Sequence, residues 1–302
     1  DEAIRPAAES AELFDAMGAQ ADAAWPRYWL AFGHYLADNP SEARGILTQL
    51  LAADRAGLEV APDFRFRLLS SLGTVEAWDG EAERGLAYME EARSLLEGAS
   101  LRQRAAFLSS LALQYRRAGD LERSIRTGHE SLALYRAADA EREEAALEIN
   151  LAISLLELGA GERARQHLVR ARELAERHAD AMLLSEASEA EARAALQAGD
   201  LDAAAERARV ALEASASPGG SVFAAVGAHR TLARVASRRG DRQAAEEEFT
   251  IAASMLRDRR ARSLLRDLLA EWADLRSGWG DHSGANALYA EALGRNSSPP
   301  RP

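Results

Sequence analysis

A turn of small residues returns about every forty positions along this chain: Asn39-Pro40, Asp79-Gly80, Gly119-Asp120, Gly159 to Gly161, Gly199-Asp200, Gly240-Asp241 and Gly280-Asp281. Counted from Pro40 the steps are 40, 39, 40, 40, 41 and 40 residues. A period of that length marks an array of small supersecondary units. Each is too small to bury its own apolar face and completes its core against its neighbours. The 302 residues are therefore read as one domain, since a stacked core grows along an axis and escapes the size limit of a single globule.

The segments between turns carry helical periodicity. In the third unit Leu108, Leu111, Ala112 and Tyr115 fall at i, i+3, i+4 and i+7, which lines them on one stripe. Gly119 is suited to the left-handed end of that helix and Asp120 to the cap of the next. Beyond the turn, Ser124, Gly128 and Ser131 are small where the second helix must come close. The frame repeats with Trp29, Phe32, Gly33 and Leu36 in the first unit, and Leu69, Leu72 and Gly73 in the second. Leu151, Ala152 and Leu155 facing Ala164, Leu168 and Ala171 serve the fourth, and Ala192 and Ala195 facing Ala204, Ala208 and Ala211 the fifth. Leu232, Ala233 and Ala236 facing Ala245, Phe249 and Ala252 form the sixth, and Leu269, Trp272 and Ala273 facing Ala285, Tyr289 and Ala292 the last. Ala and Leu dominate the 47% hydrophobic fraction and aromatics are only 6%, which favours helix over strand throughout. The expected fold is all-α, a right-handed α-solenoid of about seven antiparallel helix pairs spanning residues 26–293.

The ends fall outside that frame. Asp1-Glu2-Ala3-Ile4 with Ala7 and Ser10-Ala11 matches the start of a second helix. Residues 1–25 are accordingly either a capping helix or the second half of a truncated repeat, the latter implying an upstream segment. Residues 294–302, with Ser297-Ser298-Pro299-Pro300, are expected to be a disordered tail. Ser215 to Ser221, containing Pro218-Gly219-Gly220, is expected to be a loop that accounts for the single 41-residue step.

Several chemistries are excluded by composition. Without cysteine there are no disulfides, thiolate metal sites or cysteine nucleophiles. All 37 basic residues are arginine, which removes the lysine of a P-loop, the lysine of a kinase and every Schiff base. His34, His129, His167, His178, His229 and His282 lack the short helical spacings of a zinc site. No catalytic residue, metal or cofactor is expected. A net charge of −11 speaks against direct nucleic-acid binding. No apolar run approaches a bilayer span, and the N-terminus lacks a signal-peptide layout, so a cytoplasmic chain without membrane contact is expected.

In such a stack the inner groove is lined by the first helix of each pair. Projecting the frame places there Arg67 and Thr74; Ser109, Leu113, Arg116 and Arg117; Ile149, Asn150 and Ile153; Glu189, Arg193 and Gln197; and Arg230, Arg234 and Arg238. The last three, four residues apart, share one line down one helix. Pairing of these arginines with Glu189, Glu157 or Asp267 is the competing expectation.

The repeat resembles the tetratricopeptide family, whose unit His229, Leu232-Ala233, Gly240-Asp241, Ala245, Phe249 and Ala252 largely reproduce. It departs in being near 40 residues rather than 34, and in lacking the closing proline; Arg136 to Asp139 and His178 to Asp180 stand at such junctions. Long proline-free units are similar to those attached to bacterial signal-transducing transcription regulators. The resemblance implies a non-enzymatic scaffold that binds a protein or peptide. It also implies that Asn150 holds a ligand backbone amide, as an asparagine commonly does in peptide-binding members. The arginines Arg67, Arg116, Arg117, Arg193, Arg230, Arg234 and Arg238 then suit an acidic segment. The alternative is an assembly scaffold without a groove ligand, forming a homodimer through end faces that carry Trp25, Trp78 and Trp279.

Overall fold

The computed structural model describes residues 4–37, 39–61, 63–78, 81–259 and 261–294. Among them are fifteen helices: α1 (Ile4–Ala16), α2 (Gln20–Leu36), α3 (Pro40–Arg55), α4 (Phe64–Trp78), α5 (Ala82–Arg93), α6 (Leu101–Arg117), α7 (Leu121–Ala137), α8 (Glu141–Glu157), α9 (Gly161–Arg177), α10 (Ala181–Ala198), α11 (Leu201–Ala216), α12 (Val222–Arg238), α13 (Arg242–Asp258), α14 (Arg262–Gly278) and α15 (His282–Ala292). From α2 onward they form helix pairs, so the chain is an all-α solenoid of seven such pairs with α1 packed against α2. The Asp79-Gly80 turn and the tail beyond Gly294 lie outside the described residues.

The Gly-Asp turns work by one device. At Gly199 the backbone is left-handed, with φ 83°, and the following Asp200 N–H donates to the Ala195 carbonyl at 3.0 Å. Asp200 then turns its carboxylate to the next helix, where Oδ1 accepts from the Ala203 N–H at 3.0 Å. Asp120, Asp241 and Asp281 cap α7, α13 and α15 identically, at 2.9, 3.0 and 2.9 Å. One dipeptide therefore ends a helix and begins its partner. The proline-free junctions turn differently: Asp139 and Ala179 both sit at φ 48°. Asp180 then caps α10 by accepting from the Leu183 N–H at 3.2 Å. Replacing Gly199 with valine should cost about 1–2 kcal/mol. A Cβ there meets nothing within 4 Å, so the loss is backbone strain alone. Urea unfolding measures it, and an unchanged midpoint would contradict this reading of the turn.

The chain divides into two compact units, Asp1–Leu147 and Glu148–Pro302, and α8 runs through the division. In the first unit Tyr28, Leu47, Phe64, Leu68, Leu72, Met89 and Leu111 share one buried cluster. Ser131, completely buried, donates its hydroxyl to the Ala105 carbonyl at 2.7 Å, tying α7 to α6. In the second unit Ala192, Ala208, Ala211 and Ala228 make a close alanine interface. Farther along, Phe249 stacks on Trp272 at 5.7 Å and 10°. The expected loop from Ser215 begins later, because α11 runs through Ala216, and its far end is pinned to α10, where the Ser221 N–H donates to Ser185 Oγ at 3.1 Å.

One expectation about packing is corrected. Trp29 and Leu36 are 51% and 68% exposed and Phe32 is exposed with them, while α2 buries Ala24, Tyr28 and Ala31 instead. The apolar spacing on α2 fits two adjacent faces, and the one carrying alanines is the one narrow enough for close packing. The tryptophans assigned to end faces are half-buried. Trp25 packs edge-on to Phe64 at 5.1 Å, Trp78 edge-on to Tyr35 at 6.0 Å, and Trp279 lies beneath Arg242 at 5.8 Å.

Candidate ligand-binding face

In the second unit the first helices of successive pairs are offset by 41 residues from α10 to α12 and by 40 from α12 to α14. Glu189 and Arg230 are thus equivalent positions on α10 and α12, as are Arg193 and Arg234, and Glu271 stands one residue past the α14 equivalent of Arg230. The side chains meet across these helices. Arg230 and Arg234 both donate to the single carboxylate of Glu271. Arg193 Nε lies 3.9 Å from Glu189 Oε1, within ionic reach but beyond a hydrogen bond. Arg238 donates to the Leu196 carbonyl at 2.7 Å, and Gln197 to the Leu156 carbonyl at 2.9 Å. Glu157, Arg193, Gln197, Arg234 and Arg238 line a cleft of about 310 Å³ floored by Leu156 and Leu196.

The charge balance favours an incoming anion. Glu271 satisfies two guanidiniums with one carboxylate, and Arg238 has no carboxylate within ion-pair distance among the described residues. Burial pushes the Glu189 carboxyl above its ordinary range, against the pull of Arg193, Arg230 and Arg234 and with the help of Glu186. Of the acids facing these arginines, Glu189 is thus one whose charge desolvation disfavours. Asp267 is instead beside Arg266, at 3.3 Å. The competing expectation of internal pairing therefore holds loosely for Arg193 with Glu189, while Arg230 and Arg234 take Glu271, which the sequence reading omitted.

The remaining candidates stand elsewhere. Asn150, on α8, is half-buried, and its carboxamide makes no hydrogen bond among the described residues. Arg67, Arg116 and Arg117 belong to the first unit. Arg67 bonds Asp63 at 2.7 Å, lies 5.6 Å from the Trp25 ring and borders a cleft of about 550 Å³ lined by Phe66, Ser70, Thr74 and Phe107. Arg116 is half-buried. Arg117 sits 5.5 Å over the Trp78 ring, and the crowding that displaces water from its guanidinium lowers its pKa, with the like charge of Arg116 adding to the effect. Burial raises the Tyr35 hydroxyl, opposed by Arg117.

By sequence, no family model and no curated protein matches the chain. Solved structures do. Aspartyl phosphate phosphatase F from Bacillus subtilis superposes with a TM-score of 0.70 at 13% identity, covering 95% of this chain and 74% of that one. NprR in complex with its cognate peptide NprX gives 0.67 at 15% identity over 91% and 78%. A Rap protein complexed with competence and sporulation factor gives 0.61 at 16% over 97% and 96%. A tetratricopeptide repeat protein from Parabacteroides merdae gives 0.58 at 13% over 91% and 94%. The chain is a tetratricopeptide-like repeat protein in fold. Among its described residues no helix is long and apolar enough to cross a membrane.

Proposed function

We propose that this chain is a non-enzymatic binding scaffold of a bacterial signalling or transcription-regulating system, and that the inner face of its second unit takes an acidic segment of a protein or peptide partner. The observation that carries this reading is the gathering of Arg193, Arg230, Arg234 and Arg238 on one face of a chain of net charge −11, with Glu189 and Glu271 the two carboxylates within ion-pair distance of them among the described residues. Such a concentration focuses positive potential in a cleft with low-dielectric walls. Guanidinium pairs with carboxylate in two-point fashion, so acidic side chains are the matching chemistry. Two of the structural neighbours, NprR and the Rap protein, were solved with a bound peptide or signalling factor, which supports a peptide as the ligand type. Asn150, with its free carboxamide, is the proposed anchor for ligand backbone. Arg67, Arg116 and Arg117 are proposed to serve the first unit's own surface in the same way.

The test is the charge reversal Arg234→Glu, with binding of a labelled acidic peptide followed by fluorescence anisotropy. We expect a loss of about 1–3 kcal/mol, narrowing as salt rises. Asn150→Ala should weaken acidic and neutral peptides alike, since a backbone contact ignores sequence. Retained affinity in both variants would sink the proposal. A second reading, assembly through an end face, draws on the exposed Trp29, Phe32 and Leu36 of α2 together with Leu13 of α1 and Met17 just beyond it. Sedimentation across a concentration series separates it from peptide binding.

A further inference from the structure

The register that aligns the arginines also aligns two apolar residues. Met182 and Phe223 stand 41 residues apart, each the second residue of its helix, α10 or α12. Both are unusually open for their type, at 43% and 54% exposure. Arg193 and Arg234 lie eleven residues farther along α10 and α12. Eleven residues are close to three helical turns, so each apolar residue lies on the same line as its arginine, about 16 Å away. The residues between them are Glu186 and Glu189 on α10 and Gly227 and Arg230 on α12, all half-buried on this line. One face thus carries an apolar ledge at one end and a cationic cluster at the other.

We propose that this face is a bipartite site, in which Met182 and Phe223 receive apolar side chains of the same segment whose acidic side chains meet Arg193 and Arg234. The inference rests on the binding reading above and adds the composition of the ligand. An extended chain advances about 3.3 Å per residue, so about five residues span the interval between the two subsites. The occupant is a short segment with acidic residues at one end and Leu- or Phe-like residues about five positions away. Charge complementarity selects this occupant: a second copy of an acidic chain would bring net negative charge onto the ledge beside Glu186 and Glu189.

The experiment uses the full chain and two labelled heptapeptide probes, one with two acidic residues and two leucines at opposite ends, the other with serines in place of the leucines. The wild-type protein should prefer the first. Phe223→Ser should weaken that probe by about tenfold at every salt concentration, as lost apolar burial predicts, and leave the serine probe unaffected. Met182→Ser gives an independent, smaller loss of the same kind. Both residues are exposed, and unchanged thermal unfolding of each variant verifies that only the surface has altered. Equal affinity of the two probes, or an equal loss of both in Phe223→Ser, overturns the bipartite site while leaving the acidic-ligand reading standing. If neither probe binds the wild type, both readings fall. A concentration-dependent mass that disappears in Phe223→Ser assigns the ledge to a second copy and overturns the proposal as well.

Discussion

Replacing Gly85 with valine is expected to destabilise the first unit by about 3 kcal/mol, at the upper end of the cost of overpacking. A Cβ at Gly85 would fall 2.6 Å from the Gly73 carbonyl oxygen and 3.1 Å from the Ala77 backbone nitrogen. Those neighbours are main chain and cannot swing aside, so α4 and α5 must separate. Helix propensity works the other way, since glycine in a helix interior is worse than alanine by about 1 kcal/mol, but the clash is the larger effect. Gly45, inside α3 with nothing within 4 Å of its Cβ position, isolates the propensity: Gly45→Ala should stabilise by about 0.5–1 kcal/mol. Urea midpoints of the two variants moving in the same direction would disprove the assignment of Gly85 to a backbone contact.

Phe249→Ala should cost the second unit about 3–5 kcal/mol, the usual penalty for emptying a fully buried aromatic site. Phe249 is completely buried and stacked on Trp272, so its removal deletes both the apolar burial and a ring partner. Phe249→Leu, which fills most of the volume, should recover more than half of the loss. Trp272 directly follows Glu271 on α14, and loosening it should also blur the carboxylate shared by Arg230 and Arg234. Denaturant unfolding followed by tryptophan fluorescence reads the stability. A loss below about 1 kcal/mol would mean that Phe249 is not in the core.

The helix pairs were legible because their signals are local. Gly199-Asp200 and its equivalents announce a turn within two residues, and the alanine and leucine stripes of α8 to α13 are unambiguous where neighbouring faces are polar. Legibility failed on α2, where Trp29, Phe32 and Leu36 make as good a helical stripe as the one actually buried. Choosing between them requires the shape of the neighbours. The arginines of α12 followed from their four-residue spacing, but their partner did not. Glu271 is 41 and 37 residues from Arg230 and Arg234, whereas the acids named from the sequence are Glu189, Glu157 and Asp267. The 40-residue offset from α12 to α14 carries Arg230 onto Ala270, beside Glu271, so the register reaches the neighbourhood of the partner and no local window does. The Arg238 bond to the Leu196 carbonyl had no sequence signal, since every residue carries that acceptor.

The 41-residue register has an evolutionary consequence. Residues along one helix change only by point substitution, but a row gains a member whenever a repeat is copied. Duplicating one helix pair would extend the Met182–Phe223 row and the Arg193–Arg234 row by one side chain each, without disturbing the stripes already present. Ligand length and ligand chemistry are thereby inherited separately in this architecture: repeat number sets how much of a partner is read, and a few positions within each helix set what is read there.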